Sequence, residues 1–369
     1  MNPSRLIAGL SFGLSCAAGP LIPAGQAQTA AVAAGVDTAG RPARAHPVIV
    51  VVGSNAKTEL TDFLIPRAIL AEADIGTVYT VAAAAAPIRF YRSSLTVDPD
   101  LTVAAFDASH PAGADYIVVP NIIPHDDPVI LGWLRHQAAQ GATIIGVCDG
   151  VWTVAEAGLL EGHRATGHWA SLKSLARDFP RTEWVWDQRY VSDGRIVTAT
   201  GVTASVPVSL MLVARIGGQP AALRVAQRIG VREWSATHDS HAFHFTRTMW
   251  AMHFYDQVAF WRHDEIAIPV ANGVDEIALG LSLDAISRRA TGLLVSETGS
   301  TVTGRQGLRF HTDRRREPGR SLPRTLPLPA APAPPVSALD STLVRLATWY
   351  GQRTAEFIAI QMEYDASRP

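Results

Sequence analysis

The chain has 369 residues, of which 47% are hydrophobic and 18% charged, with 32 Lys and Arg against 33 Asp and Glu. That composition belongs to a folded globular protein with material for one large core or two smaller ones, and it excludes disorder as a whole. The near-zero net charge supplies no broad positive field, so a partner among nucleic acids or acidic lipids gets no support from charge.

The first element in chain order reads as an export signal. Arg5 gives a positive start, residues 6–22 are mostly apolar and small, and Gly25-Gln26-Ala27 offers a cleavage site, so residues 1–27 form a signal peptide. The stretch falls short of the ~20 apolar residues of a membrane span. A lipid anchor on Cys16 is disfavoured, because Gly13 stands where a Leu is expected. The expectation is a periplasmic or secreted protein, free of the membrane after cleavage. Removing Cys16 leaves Cys148 as the only cysteine and excludes an intramolecular disulfide.

Residues 28–46 are small, Gly- and Ala-rich and aperiodic, a flexible lead-in. A β-branched run at 48–52 suits a central parallel strand. Residues 60–73 carry Leu60, Phe63, Leu64, Ala68 and Ile69 at helical spacing. Strands follow at 77–82 and 116–119, a helix at 128–140 with Pro128 in its first turn and Gly141 at its end, and a strand at 142–147. Helices at 151–160 and 171–178, a strand at 195–199 and a helix at 203–216 complete the pattern. Strands alternating with helices of this length predict a three-layer α/β sandwich around a parallel sheet, with ligands at the strands' carboxyl ends.

Residues 47–217 would form this domain and 218–300 a helical extension, with Trp250, Phe254 and Trp261 in its core. Residues 301–337, with Arg314-Arg315-Arg316 and the Pro-rich stretch 323–335, read as a basic, solvated linker. Residues 338–369 hold one amphipathic helix whose apolar face (Leu339, Leu343, Leu346, Tyr350, Phe357, Ile360) docks on the same molecule or on a partner subunit.

The chemistry points to Cys148. It follows the strand at 142–147 within Gly146-Val-Cys148-Asp-Gly150, a turn that leads into a helix and exposes one side chain. Free N–H groups and the dipole at a helix start favour an anion, so the thiol is expected to ionise more easily than a free cysteine. The alternative is a buried small hydrophobe.

Four stretches carry a family resemblance: Glu59-Leu-Thr-Asp62-Phe-Leu-Ile-Pro66, Asp115-Tyr-Ile-Val-Val-Pro120, the turn at Cys148, and residues 155–169 with Gly162, His168 and Trp169. In order and separation they resemble the DJ-1/PfpI family of the glutamine-amidotransferase-like superfamily, above all the amidase-like domains of AraC-type regulators. The resemblance implies a flavodoxin-like fold. It places the family's elbow cysteine at Cys148, the carboxylate that contacts its sulfur at Asp62, and a pocket histidine at His168. Asp149 would offer its backbone N–H to an oxyanion. Family members commonly dimerise, so a homodimer is expected.

Three departures matter. Asn121-Ile122 replaces glycines that many relatives carry after the Val-Val-Pro strand, which weakens the second half of an oxyanion hole at Asn121. Family proteases and glyoxalases follow the cysteine with a histidine, and isocyanide hydratases with a threonine; here it is Asp149. A carboxyl group beside a thiolate should hold its proton, so Asp62 could act as a donor. Glu59 reads as a helix-start carboxylate favoured by the dipole rather than as an acid of the site. On a helix, two of His238, His241 and His244 could share a face as metal ligands, but a cap at Asp239 or Ser240 is the simpler account, and neither metal nor cofactor is expected.

Two functions compete. One is an exported cysteine-dependent hydrolase or hydratase acting on a small carbonyl, amide or isocyanide-like substrate. The other is a non-catalytic sensor or binding protein, redox-responsive through Cys148. A signal cut near Ala27 favours the first, a walled-off Cys148 the second.

Overall fold

A computed structural model describes residues 44–365 except 92, 259–263, 297–298 and 316–323. The expected signal peptide, nearly all of the lead-in, Trp261 and Arg316 lie outside the described residues.

The strands and helices of the domain are β1 (Val48–Gly53), α1 (Leu60–Ala73), β2 (Thr77–Ala82), β3 (Leu101–Thr102), α2 (Val103–Ser109), β4 (Tyr116–Val119), α3 (Pro128–Ala139), β5 (Thr143–Val147), α4 (Gly150–Glu156), α5 (Leu172–Asp178), β6 (Tyr190–Asp193), β7 (Ile196–Ala199) and α6 (Ser205–Gly217). They form one seven-stranded sheet in the order β6-β7-β5-β4-β1-β2-β3, parallel throughout except for the β6–β7 hairpin. Its β-branched strands are buried on both faces, as a parallel sheet requires. Val50 and Val52 of β1 pack with Phe106 of α2, Trp133 and Leu134 of α3 and Val151 of α4. Alternation leaves Ile49 and Val51 for the opposite face, against α1. This is the expected three-layer α/β sandwich, and the elements lie within a few residues of their expected bounds.

Helix α1 is the centre of the molecule. Residues 60–70 are all buried, because the sheet lies on one side and other helices on the rest. A helix buried all round shows no polar face, which is why its apolar residues spread beyond one stripe.

The chain continues through α7 (Gln219–Ile229) and α8 (Arg247–Val258), and then departs from the expected helical extension. Strands β8 (Glu265–Val270) and β9 (Thr291–Ser296) pair in parallel, joined by α9 (Glu276–Ser287) as a βαβ unit. Short strands β10 (Arg314–Arg315) and β11 (Arg324–Thr325) extend this second sheet, in the order β10-β9-β8-β11. The strands lack a clear β-branched run, Thr291–Ser296 being TGLLVS, and α9 between them dominates the periodicity. The expected linker is also partly folded: residues 301–303 and 309–311 form a hairpin that pairs with 96–97 of the first domain and buries Phe310.

The final helix is two helices, α10 (Ala338–Tyr350) and α11 (Gln352–Gln361), broken at Gly351, whose φ of 90° ends α10. Helix α10 docks on α9 of the same molecule, with Leu339, Leu343 and Leu346 buried. Trp250 and Phe254, expected in a core, are 58% and 69% exposed on α8. Among the described residues, no helix is long and apolar enough to cross a membrane.

Candidate active site

The turn after β5 is built by backbone sterics. Cys148 has φ of 55°, a left-handed conformation that a cysteine rarely adopts and that costs roughly 1–3 kcal/mol unless the surroundings enforce it. They do so here: the Cys148 N–H donates to the carbonyls of Ala199 and Thr200, 3.1 and 3.2 Å away past the end of β7. Gly150 is obligatory, since a Cβ there would lie 2.1 Å from the Val119 carbonyl oxygen at the end of β4. The elbow is thus pinned between β4 and β7.

Helix α1 delivers two carboxyl groups to this point. Asp62, in its first turn, is fully buried; its Oδ2 accepts the Asn121 N–H at 3.3 Å, and its Oδ1 has no partner. Glu59 occupies the N-cap position, held by its own N–H donating to the Asn121 carbonyl at 2.7 Å. Asn121 therefore clasps the start of α1 by both of its backbone groups. Its N–H serves Asp62 rather than an open oxyanion hole. The Asn121 Oδ1 and Asp149 Oδ1 are buried without a partner as well.

Two further residues enter from α9, far outside the first domain. Arg288, directly after the helix, donates from Nη2 to Glu59 Oε1 at 2.7 Å and lies 3.2 Å from Asp284 Oδ1. Asp284 Oδ2 also accepts the Thr61 hydroxyl at 2.7 Å. The guanidinium is 15% exposed and is electrostatically coupled to Cys148. No sequence signal marked either residue: Glu59 and Arg288 are brought together only by the packing of α9 on α1. Glu59, read from sequence as a helix-start carboxylate, stands three residues before Asp62 and shares its face, a spacing that could have flagged it.

The electrostatics follow from burial. Desolvation, then the neighbouring Asp284, pushes Glu59 up to about 8 even though Arg288 pulls it down. Burial, then Glu59, raises Asp62 well above the usual carboxylate range. Burial also raises the Cys148 thiol, with Asp62, Asp149 and Glu59 adding to the effect and the Asp149 N–H opposing it. This corrects the expectation of an easily ionised thiol: the α4 N-terminus does supply the Asp149 N–H to sulfur, but losing water costs the thiolate more than one N–H returns. Burial thus favours the neutral thiol at Cys148 and the protonated forms of Glu59 and Asp62. Cys148 is 4% exposed.

His168 is placed otherwise. Its Nε2 contacts the Gln361 carbonyl at 3.4 Å and its Nδ1 accepts the Ala170 N–H, so its hydrogen bonds go to the end of α11 and to its own turn. His125 stands nearer the elbow's charge: burial lowers its pKa, and Asp149 raises it in opposition. Its ring stacks on Trp152. The histidine run is dispersed. His238 contacts Glu363 Oε1 at 2.7 Å, His241 and His244 are exposed, and Asp239 caps the short turn at 240–242. Among the described residues, no group of three or more His, Cys, Asp and Glu is arranged to hold a metal ion.

Comparison with known proteins agrees with this architecture. Residues 47–215 match the DJ-1/PfpI family. The HTH-type transcriptional regulator CdhR of Pseudomonas aeruginosa is 35% identical over 101 residues, 27% of this chain and 30% of the regulator. The isonitrile hydratase of Pseudomonas putida is 36% identical over 95 residues, 25% of this chain and 40% of the enzyme. A protein from the cpoL 5' region of Streptomyces lividans is 33% identical over 140 residues, 37% of this chain and 96% of its own length. The chain thus spans less than half of the regulator and of the hydratase. Residues 47–215 of this chain are thus a domain of the DJ-1/PfpI family, with regulators of transcription among its relatives.

Proposed function

We propose that this protein is a cysteine-dependent hydrolase or hydratase acting on a small, uncharged carbonyl, amide or isocyanide-like substrate. One observation carries the reading: Cys148, held at positive φ with the Asp149 N–H on its sulfur, shares a buried site with a carboxyl group, Asp62, that keeps its proton and has an oxygen without a partner. A neutral thiol and a neutral acid can add together across an unsaturated carbon. Sulfur bonds to the carbon while Asp62 gives its proton to the substrate and takes the thiol's. Water then attacks the same carbon, the carbon–sulfur bond breaks, and Asp62 relays a proton back to sulfur. For an isocyanide the balance is one water consumed and one N-substituted formamide released. An anionic substrate would lose its water here with Arg288 already engaged by Glu59 and Asp284, so an uncharged one is favoured.

The test is turnover of a panel of isocyanides, primary amides and aldehydes, with iodoacetamide labelling of Cys148 in parallel. Turnover lost in Cys148→Ser and reduced by two or more orders of magnitude in Asp62→Asn, on the scale of lost acid–base catalysis, is the expected result. A protein that binds such compounds without turning them over sinks the enzyme reading.

That outcome would support the second reading, a ligand-binding sensor. The low exposure of Cys148 favours it, and the partial match to regulators is in keeping with it. A raised thiol pKa argues against redox sensing, since the thiolate is the species that oxidises. Export through residues 1–27 to the periplasm or medium, and assembly as a homodimer, belong to the proposal. N-terminal sequencing of the protein recovered outside the cytoplasm, and its mass in solution, test them.

A further inference from the structure

Helix α9 lies antiparallel along α1: Glu59 meets Arg288, Thr61 meets Asp284, Gly280 packs on Leu64 and Ile65, and Arg67 meets Glu276. The end of α9 therefore reaches the start of α1, which is the wall of the Cys148 site. Among the described residues, the ion pairs of Glu59 and Asp284 are both with Arg288. Glu59 and Asp284 therefore share one cation between them. The other groups facing this wall are Asp62 from α1, Cys148 and Asp149 from the elbow, and, beyond Asp149, His125.

We infer that the C-terminal βαβ unit is a built-in part of the Cys148 site, with Arg288 and Asp284 as positioning residues that hold Glu59 and set whether it carries a proton beside the thiol. Neither residue lies in the matched domain, so the domain by itself has an incomplete site. A single guanidinium shared by two carboxyl groups neutralises one of them. The second is left without a cation of its own, which favours a proton on Glu59. In this way the βαβ unit stocks the acid that the proposed chemistry draws on. The inference rests on the proposed function for its consequence in catalysis, but its physical content can be read without a substrate.

The experiment is a pH titration of the side-chain carboxyl carbons in the full chain labelled with carbon-13 glutamate, Glu59 being assigned by its absence in Glu59→Gln. The wild-type signal should titrate near pH 8. Arg288→Met removes the cation and should move the midpoint to higher pH by about one unit or more, with Arg288→Lys falling between. Asp284→Asn removes the competing carboxyl and should move it to lower pH. Opposite shifts from two neighbouring substitutions separate a proton-setting role from general damage, which would lower the melting temperature in both without that sign reversal. If Arg288→Met fails to fold, Arg288→Lys and Asp284→Asn still decide. A Glu59 midpoint in the ordinary carboxylate range, or one unmoved in folded variants, overturns the inference. Loss of turnover with these shifts intact would instead count against the proposed function.

Discussion

The same two helices are clasped at both ends by a buried carboxylate–arginine pair, and the two clasps behave differently. At one end Arg67 of α1 meets Glu276 of α9, with Nη1 3.0 Å from Oε2. The Glu276 Oε1 also accepts the N–H groups of Gln306 and Leu308, each at 3.1 Å. At the other end Arg288 of α9 meets Glu59 of α1, but it is shared with Asp284, and Asp62 and Cys148 stand alongside. One carboxylate is fully hydrogen-bonded to its surroundings; the other competes for its cation. Charge pairing alone therefore does not tell a structural clasp from a site, whereas the number of acid groups per cation does.

The largest expected effect breaks the structural end. Glu276→Ala should cost about 3–5 kcal/mol in urea unfolding, because the buried Arg67 guanidinium would lose its counter-charge, keeping the Gln306 carbonyl, and the N–H groups of Gln306 and Leu308 would lose their acceptor. Glu59→Gln should cost less than about 1 kcal/mol, since a group already protonated loses little by becoming an amide. Equal losses in the two variants would erase the distinction between the clasps.

The pH dependence of stability sharpens it. Glu59 holds its proton to about pH 8 when folded, against an ordinary value of 4.5. Between those values the folded chain binds more protons than the unfolded one, so this residue's contribution is present below about pH 4.5 and is lost as pH rises toward 8. The expected loss is on the order of 5 kcal/mol, read as a falling melting temperature across the window and flattened in Glu59→Gln. Asp62, also raised, acts in the same direction.

Gly150→Ala should cost roughly 1–3 kcal/mol and slow Cys148 labelling, because the added carbon meets the Val119 carbonyl and the elbow must shift. The smallest effect is expected at His168: replacing it by Ala should change Cys148 labelling by less than about threefold, since its hydrogen bonds lie at the end of α11. A larger change would return it to the site.

Much of this was legible in the amino-acid sequence. Local signals fixed β1, α1, β4 and β5, because a buried parallel strand is a run of β-branched residues and its neighbours are bounded by Pro and Gly. The elbow at Cys148 was legible for the same local reason: Gly150 is required by the close approach of two backbones, and such a requirement leaves a mark within a few residues. The residues of α1 nearest the elbow, Glu59 and Asp62, were visible too, although only Asp62 was assigned to the site. What tertiary structure alone decided is the state of those groups and the identity of their partners. A pKa depends on how much water and which charges surround a group, so the local pattern of a helix start after Cys148 suggested an acidic thiol, and burial reversed it. Arg288 and Asp284 lie more than two hundred residues from Glu59 and reach it only because α9 is the crossover of a second parallel sheet packed along α1.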